Sequence, residues 1–288
     1  MTKTLIILAG GTSSRMKKSD SSGLSESATR EANTVSKSLI RINDIPILDY
    51  ILYNAKKAGL TEIVIITGPD NSSFKDHYGN ENRGNIFHGL SISFAIQNIP
   101  RDRSKPRGTA DALWQALVQY PIVQQGSFLV CNSDNLYSVQ AFQALCENID
   151  TNAFINYDRG ALDYSLERIA GFALTKVNRE GYLEDLVEKP SVTQTDSFKD
   201  IHGKLRVSMN LWKFHGPMLF PYLENCPINP IRDEKELPTA VVAMIKEHPW
   251  SMKSISISEH VPDLTSKNDI AILNDYLSIH YPKLDWTT

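Results

Sequence analysis

Leu5-Ile6-Ile7-Leu8 is an unbroken aliphatic run that ends two positions before Gly10-Gly11, and it limits the choice of fold more than any other feature of the chain. Consecutive large apolar side chains on a strand point alternately to both faces, so both faces must be covered. Glu62–Thr67 (EIVIIT) and Ser127–Cys131 (SFLVC) have the same character. Between the first two runs, residues 46–58 (PILDYILYNAKKA) carry apolar side chains at helical spacing, and Gly59 stops the helix. Strand, helix, strand in this order predicts a right-handed βαβ unit in a parallel sheet. Residues 109–120 and 138–148 predict two more helices around the third strand.

From Ala153 the texture changes. AFINY, IAGFALTK, GYLEDLVEK and RVSMNLWKF follow one another as strand-like segments, which predicts an antiparallel extension of the sheet. Residues 215–225, 233–247 and 266–278 predict helices, and 253–258 (KSISIS) a strand. Residues 17–36 are rich in Ser, Lys and Glu and predict a long mobile loop. With no internal repeat and no separating linker, the expectation is a single α/β domain over 1–288. Its central sheet is mixed, mostly parallel and flanked by helices, with a small antiparallel extension. Residues 1–150 and 151–265 form its halves, and 266–288 a closing helix and tail.

A net charge of −3 gives no reason to expect nucleic acid or an anionic membrane as partner. Cys131, Cys146 and Cys226 are scattered and without CxxC spacing, which argues against a disulfide framework or zinc site and fits a reducing compartment. No apolar stretch approaches the roughly 20 residues of a membrane span, and Leu5–Leu8 is too short for a signal peptide. A cytoplasmic protein is expected.

Five groups of residues could carry chemistry. In LAGGTSSRM, Gly10 and Gly11 follow a parallel strand, where open α/β folds bind ligands. Without Cβ they can take unusual dihedrals and approach an anion, and Arg15 adds a fixed charge. The alternative is a tight turn with a solvated Arg. Lys37 could contact a phosphate or lie on the surface. Gly108 and Thr109 open a helix whose free N–H groups could face a phosphate or base, or Thr109 could simply cap it. The basic run Arg101, Arg103, Lys105 and Arg107 reads better as a solvated loop than as an anion funnel. Asp134, past the end of the third strand, could hold Mg²⁺ or start a turn, and Asp263 has the same choice. Gly171, Glu188-Lys189 and Asn210 form the last group; Asn210 lies in an apolar run and needs a hydrogen-bond partner.

Taken in order, LAGGTSSRM, Lys37, GTADAL, NSDN, AGF, VEKP, SMNLWKF and a late Asp resemble the sugar-1-phosphate nucleotidyltransferase family over most of residues 3–265. The resemblance implies a Rossmann-like mixed sheet and a transferase of nucleotide-sugar biosynthesis. Its partners would be a nucleoside triphosphate and a sugar 1-phosphate, and homo-oligomers are compatible with it. Leu8, Ala9, Gly10 and Gly11 would bind the triphosphate, with Gly108 and Thr109 at the base. Asp134 and Asp263 would hold Mg²⁺. Gly171, Glu188, Lys189 and Asn210 would bind the sugar phosphate, with Arg15, Lys37 and Lys189 as catalytic cations. The chain departs from the family pattern in having Ser36 before Lys37, Cys-Asn-Ser before Asp134 and no tryptophan near Asp263. No hexapeptide repeat follows residue 265, so no acetyltransferase half is expected.

The implied reaction is in-line attack of a sugar-1-phosphate oxygen on the α-phosphorus, releasing pyrophosphate. The nucleophile is already an anion, so positioning and charge neutralisation carry the catalysis. Three other readings stay open: transfer to a non-sugar phosphate such as phosphocholine, a nucleotide-sugar-dependent glycosyltransferase, and a non-catalytic nucleotide-binding protein. A glycosyltransferase of related fold would use Asp-x-Asp, where this chain has Asn132 before Asp134.

Overall fold

A computed structural model describes residues 2–20, 26–188 and 195–287. The strands are β1 (Thr4–Leu8), β2 (Arg41–Ile42), β3 (Ile45–Pro46), β4 (Glu62–Thr67), β5 (Asn85–Phe87), β6 (Leu90–Ile96), β7 (Ser127–Asn132), β8 (Asn152–Asp158), β9 (Ala173–Val177), β10 (Leu183–Val187), β11 (Arg206–His215) and β12 (Met252–Ile257). Among the described residues, ten of them form one sheet in the order β10-β9-β11-β7-β1-β4-β6-β5, with β8 pairing β11 and β12. β2 and β3 make a separate hairpin. The β7-β1-β4-β6 centre is parallel, as the aliphatic runs predict.

Alternation along β1 divides the core between two layers. Leu5 and Ile7 pack with helix Ile47–Lys57 and Val139–Glu147 on one face, while Ile6 packs with helices Thr109–Gln119, Gly216–Glu224 and Leu237–Glu247 on the other. Leu5, Ile7, Ile65 and Ile66 have no measurable solvent exposure, and Ile6 has almost none.

The second half carries the feature that shapes the cleft. One side of β11 pairs with β8, before and after a register shift between Ser208 and Trp212, and its other side is shared. Val207 and Ser208 pair with Leu174 and Ala173 of β9, whereas Trp212–His215 pair with Val130–Ser127 of β7. Strands β9 and β7 therefore lie end to end along β11, with a gap between them. Asn210 sits at the gap with a left-handed φ of +60°, and the β11–β8 register shifts there.

Two expectations need correction. The 17–36 segment is not a loop throughout: Ser14–Lys18 and Glu26–Thr34 are helical, anchored by the fully buried Met16 and Ala32. Ile169 and Ala170 belong to a short helix, Leu166–Ala170, because the Ser165 hydroxyl caps it by accepting from the Arg168 N–H; β9 starts only at Ala173. Between β4 and the Thr109–Gln119 helix, helix Ser72–Tyr78 and the β5–β6 hairpin complete the sheet edge. Among the described residues no helix is long and apolar enough to cross a membrane.

Candidate active site

The carboxyl ends of β1, β6 and β7 open into a cavity of about 370 Å³. Leu8, Ala9, Gly10, Gly11 and Arg15 line it from the first loop, and Gly108 and Thr109 from the opposite helix; Lys37 and Asp134 line it too. The first loop, Gly108 and Thr109 are thus brought together with Lys37 and Asp134.

The glycines of the first loop act differently from expectation. Neither Gly10 nor Gly11 has a positive φ; the left-handed residue is Ser13, at φ +54°, which turns the chain into helix Ser14–Lys18. What Gly10 supplies is room, since a Cβ there would lie 3.1 Å from Gln97 Oε1. The Ser13 hydroxyl accepts from the Lys37 backbone N–H at 3.1 Å, tying the loop to the short 3₁₀ turn Lys37–Leu39. Arg15 is exposed to the cleft.

Gly108 meets the demand that Gly10 and Gly11 do not. Its φ is +103°, and a Cβ would come within 2.5 Å of the Lys235 carbonyl oxygen and 2.9 Å of Glu234 Cβ. Glycine is the residue that tolerates such a conformation. Thr109 does not cap its own helix; its hydroxyl accepts from the Leu237 N–H at 2.9 Å, at the start of the next helix. Sequence reasoning missed Gln97, only 3% exposed, whose amide donates to the Gly108 carbonyl and to Asp111 Oδ2, both at 3.0 Å. A polar residue closing the apolar alternation LSISFAI was the available signal. Within the basic run Arg101 and Lys105 are exposed, as a solvated loop predicts, although Lys105 also lines the cavity and donates to the Arg232 carbonyl at 2.9 Å; Arg103 is instead held by the Asp233 carboxylate at 2.9 and 2.7 Å.

Asp134 and Asp263 meet across backbone hydrogen bonds. Leu264 N–H donates to the Asp134 carbonyl at 2.9 Å, and Leu136 N–H to the Pro262 carbonyl at 2.8 Å. Neither carboxylate caps a helix: Ser138 caps Val139–Glu147, and Asp269 takes the Thr265 and Ser266 N–H groups. Each faces a cation instead. The Lys37 ammonium pairs with Asp134, and Arg168 donates to Asp263 Oδ2 at 3.0 Å while its other nitrogen reaches Asp269 at 2.5 Å. Burial, and next the Asp134 charge, push the Asp263 carboxyl above its usual range, while Arg168 and Lys37 oppose the shift. Two neighbouring carboxylates of this kind suit a hard divalent cation that takes its remaining ligands from phosphates and water. Among the described residues no group of three or more His, Cys, Asp or Glu side chains forms a metal cage.

The remaining candidates lie outside the cavity lining but along one edge. Val187 pairs with Leu174 and Leu174 with Val207, so Glu188, Gly171 and Asn210 extend past the same row of the sheet. By the β11–β7 register, Asn210 is also level with Asn132 at the end of β7. The Asn210 N–H donates to the Ser208 hydroxyl at 3.2 Å, and the Tyr137 hydroxyl donates to the Met209 carbonyl at 2.7 Å. Glu188 pairs with Arg232 at 2.8 Å. Lys189 lies outside the described residues.

Such an arrangement belongs to the open α/β proteins that receive ligands at the carboxyl edge of a parallel sheet, at a point where strand order changes. Comparison narrows the class. The model of the nucleotidyl transferase family matches residues 4–220, and the chain belongs to that family. It is 24% identical over 277 residues to the bifunctional protein GlmU of Staphylococcus epidermidis, covering 96% of this chain and 52% of that one. It is 28% identical over 193 residues to a glucose-1-phosphate thymidylyltransferase of Neisseria meningitidis, covering 66% and 57%. The chain thus spans about half the length of the curated relatives it matches. A UDP-glucose pyrophosphorylase solved with UDP-glucose shares the fold, with a TM-score of 0.71 at 15% identity over 97% of this chain and 100% of that one.

Proposed function

We propose that this chain couples a nucleoside triphosphate with a sugar 1-phosphate, giving an NDP-sugar and pyrophosphate. The observation that carries the reading is the meeting of Asp134 and Asp263 between the Gly10–Arg15 cavity and the edge bearing Gly171, Glu188 and Asn210. A triphosphate in the cavity and an acceptor at that edge would have their reacting phosphates at the two carboxylates. The names of the relatives, a thymidylyltransferase acting on glucose 1-phosphate among them, support the sugar phosphate as acceptor.

In the reaction an acceptor phosphate oxygen forms a bond to the α-phosphorus, and the α–β bridging P–O bond breaks with its electron pair leaving on pyrophosphate. Arg15 would draw charge onto the departing pyrophosphate. With a triphosphate present, the Lys37 ammonium would exchange Asp134 for a phosphate oxygen. Lys189 would hold the acceptor phosphate, and Gly171, Glu188 and Asn210 its sugar. Asp134 and Asp263 would hold Mg²⁺, which when bound supplies neutralisation of the phosphate charge. Gly108 and Thr109 would border the base, in the wall that Gln97 fixes.

The test is pyrophosphate release from UTP, dTTP, CTP, GTP and ATP against a panel of sugar 1-phosphates and phosphocholine, with Mg²⁺. Release with one sugar 1-phosphate is expected. Release with phosphocholine alone would transfer the proposal to a non-sugar acceptor, and consumption of NDP-sugars without pyrophosphate would refute it.

A further inference from the structure

Lys267 is a buried lysine that the proposed chemistry does not use. It is 3% exposed, yet among the described residues its ammonium meets no carboxylate. It donates instead to the Ser19 carbonyl at 2.8 Å and reaches the Lys17 carbonyl at 3.5 Å. Its backbone N–H donates to the Ser19 hydroxyl at 3.0 Å, and that hydroxyl donates to the Met16 carbonyl at 2.9 Å. Every one of these acceptors lies at the carboxyl end of helix Ser14–Lys18, the helix that presents Arg15 to the cavity.

A helix of five residues does not hold itself together, because nucleation fixes several residues for very few hydrogen bonds. Its last carbonyls also need partners from elsewhere. Two tertiary anchors serve here: the helix's own Met16 side chain, buried in the core, and from outside the lysine, whose positive charge complements the carboxyl end of a helix. Lys267 follows closely on Asp263 and on Thr265, which lines the cavity and donates its hydroxyl to the Asp263 carboxylate at 2.8 Å. One short loop therefore touches both the carboxylate pair and the Arg15 helix. That loop lies beyond residues 4–220, the part matched by the family model.

We infer that Lys267 is a positioning residue that clamps helix Ser14–Lys18 so that Arg15 faces the pyrophosphate half of the cavity. The inference rests on the proposed role of Arg15, and the test separates the two. Binding of inorganic pyrophosphate with Mg²⁺ is measured by calorimetry on the full chain and on Lys267→Met, Arg15→Ala and the double variant, alongside amide exchange of residues 14–19. A hydrogen bond to a charged donor is lost, so Lys267→Met should weaken pyrophosphate about tenfold and speed amide exchange at residues 17–19 to a similar degree. In the Arg15→Ala background the same change should cost less than about twofold, because the clamp acts through Arg15. Lys267→Arg, which keeps the donors, should retain most of the affinity. Additive losses in the double variant, or an unchanged affinity in Lys267→Met, overturn the inference. If the native chain does not bind pyrophosphate, the nucleotidyl-transfer reading fails, and the amide exchange alone decides the clamp: unchanged protection in Lys267→Met refutes it. Should Lys267→Met not fold, Lys267→Gln is read in the same way.

Discussion

Replacing Gly108 by alanine is the perturbation whose size the structure sets most directly. At φ +103° and ψ −175° the residue lies in a region that is nearly reserved for glycine, so an alanine there carries strain of about 1–3 kcal/mol. The new methyl would also come within 2.5 Å of the Lys235 carbonyl oxygen and 2.9 Å of Glu234 Cβ, one of them backbone and neither the tip of a flexible chain. Relief requires the Arg107–Thr109 and Glu234–Lys235 segments to part, which stretches the Ala110 N–H to Lys235 bond of 3.0 Å. Overpacking of this type adds about 1–3 kcal/mol. The sum, about 2–6 kcal/mol, corresponds to a fall in melting temperature of roughly 3–10 °C for a chain of this size. Thermal unfolding followed by circular dichroism measures it, with Gly11→Ala as control. Gly11 has an ordinary φ and open space around it, so its variant should melt within about 2 °C of the native chain. Equal melting of Gly108→Ala and the native chain would refute the strain reasoning.

Two further outcomes are expected. Asp134→Ala should lower NDP-sugar formation by about a hundredfold or more while the chain stays folded, since one charge contact at a transferring phosphate is worth on the order of 3 kcal/mol; near-native pyrophosphate release with Mg²⁺ would remove Asp134 from the metal site. Glu259 is half-buried, and burial pushes its carboxyl up, with the Ser138 hydroxyl at 2.8 Å opposing the shift. The folded chain thus holds this proton more tightly than the unfolded chain, so stability is lost as pH rises from the ordinary Glu value of about 4.3 through the folded-state value. Glu259→Gln should therefore gain stability relative to the native chain across that rise, and a difference in melting temperature that is the same at pH 4 and pH 7 would contradict it.

The parallel centre was legible because its strands are buried on both faces, which leaves the uninterrupted runs LIIL, EIVIIT and SFLVC in the sequence. Helix Glu26–Thr34 was not legible: Ala32 is its fully buried anchor, too little apolar signal to set it apart from a polar loop. At the site, the residues that follow strand ends could be found, and the structure gathers Gly10, Arg15, Lys37, Thr109 and Asp134 around one cavity. Arg168 and Lys267 could not be found. Their partners stand 95 and 248 residues away, and a lone Arg or Lys in a polar stretch has no local mark of being buried. Gly10, Gly11 and Gly108 were all candidates in the sequence, but which of them needs a left-handed backbone was not legible: of the three only Gly108 has a positive φ.

The gap at Asn210 makes the distance between the ends of β7 and β9 a property that β8 sets. Ala173 and Val130 are held opposite Ser208 and Trp212, four positions apart on β11, but the β8 partners of those two residues, Asn156 and Phe154, are only two positions apart, about 7 Å at roughly 3.3 Å per position. Strand β8 works in this respect as the ruler, and the surplus residues of β11 around Asn210 are taken up in the irregularity. Residues added or removed between Ser208 and Trp212 would enlarge or shrink that irregularity, while the aperture keeps the length that β8 sets and the parallel half of the sheet stays as it is.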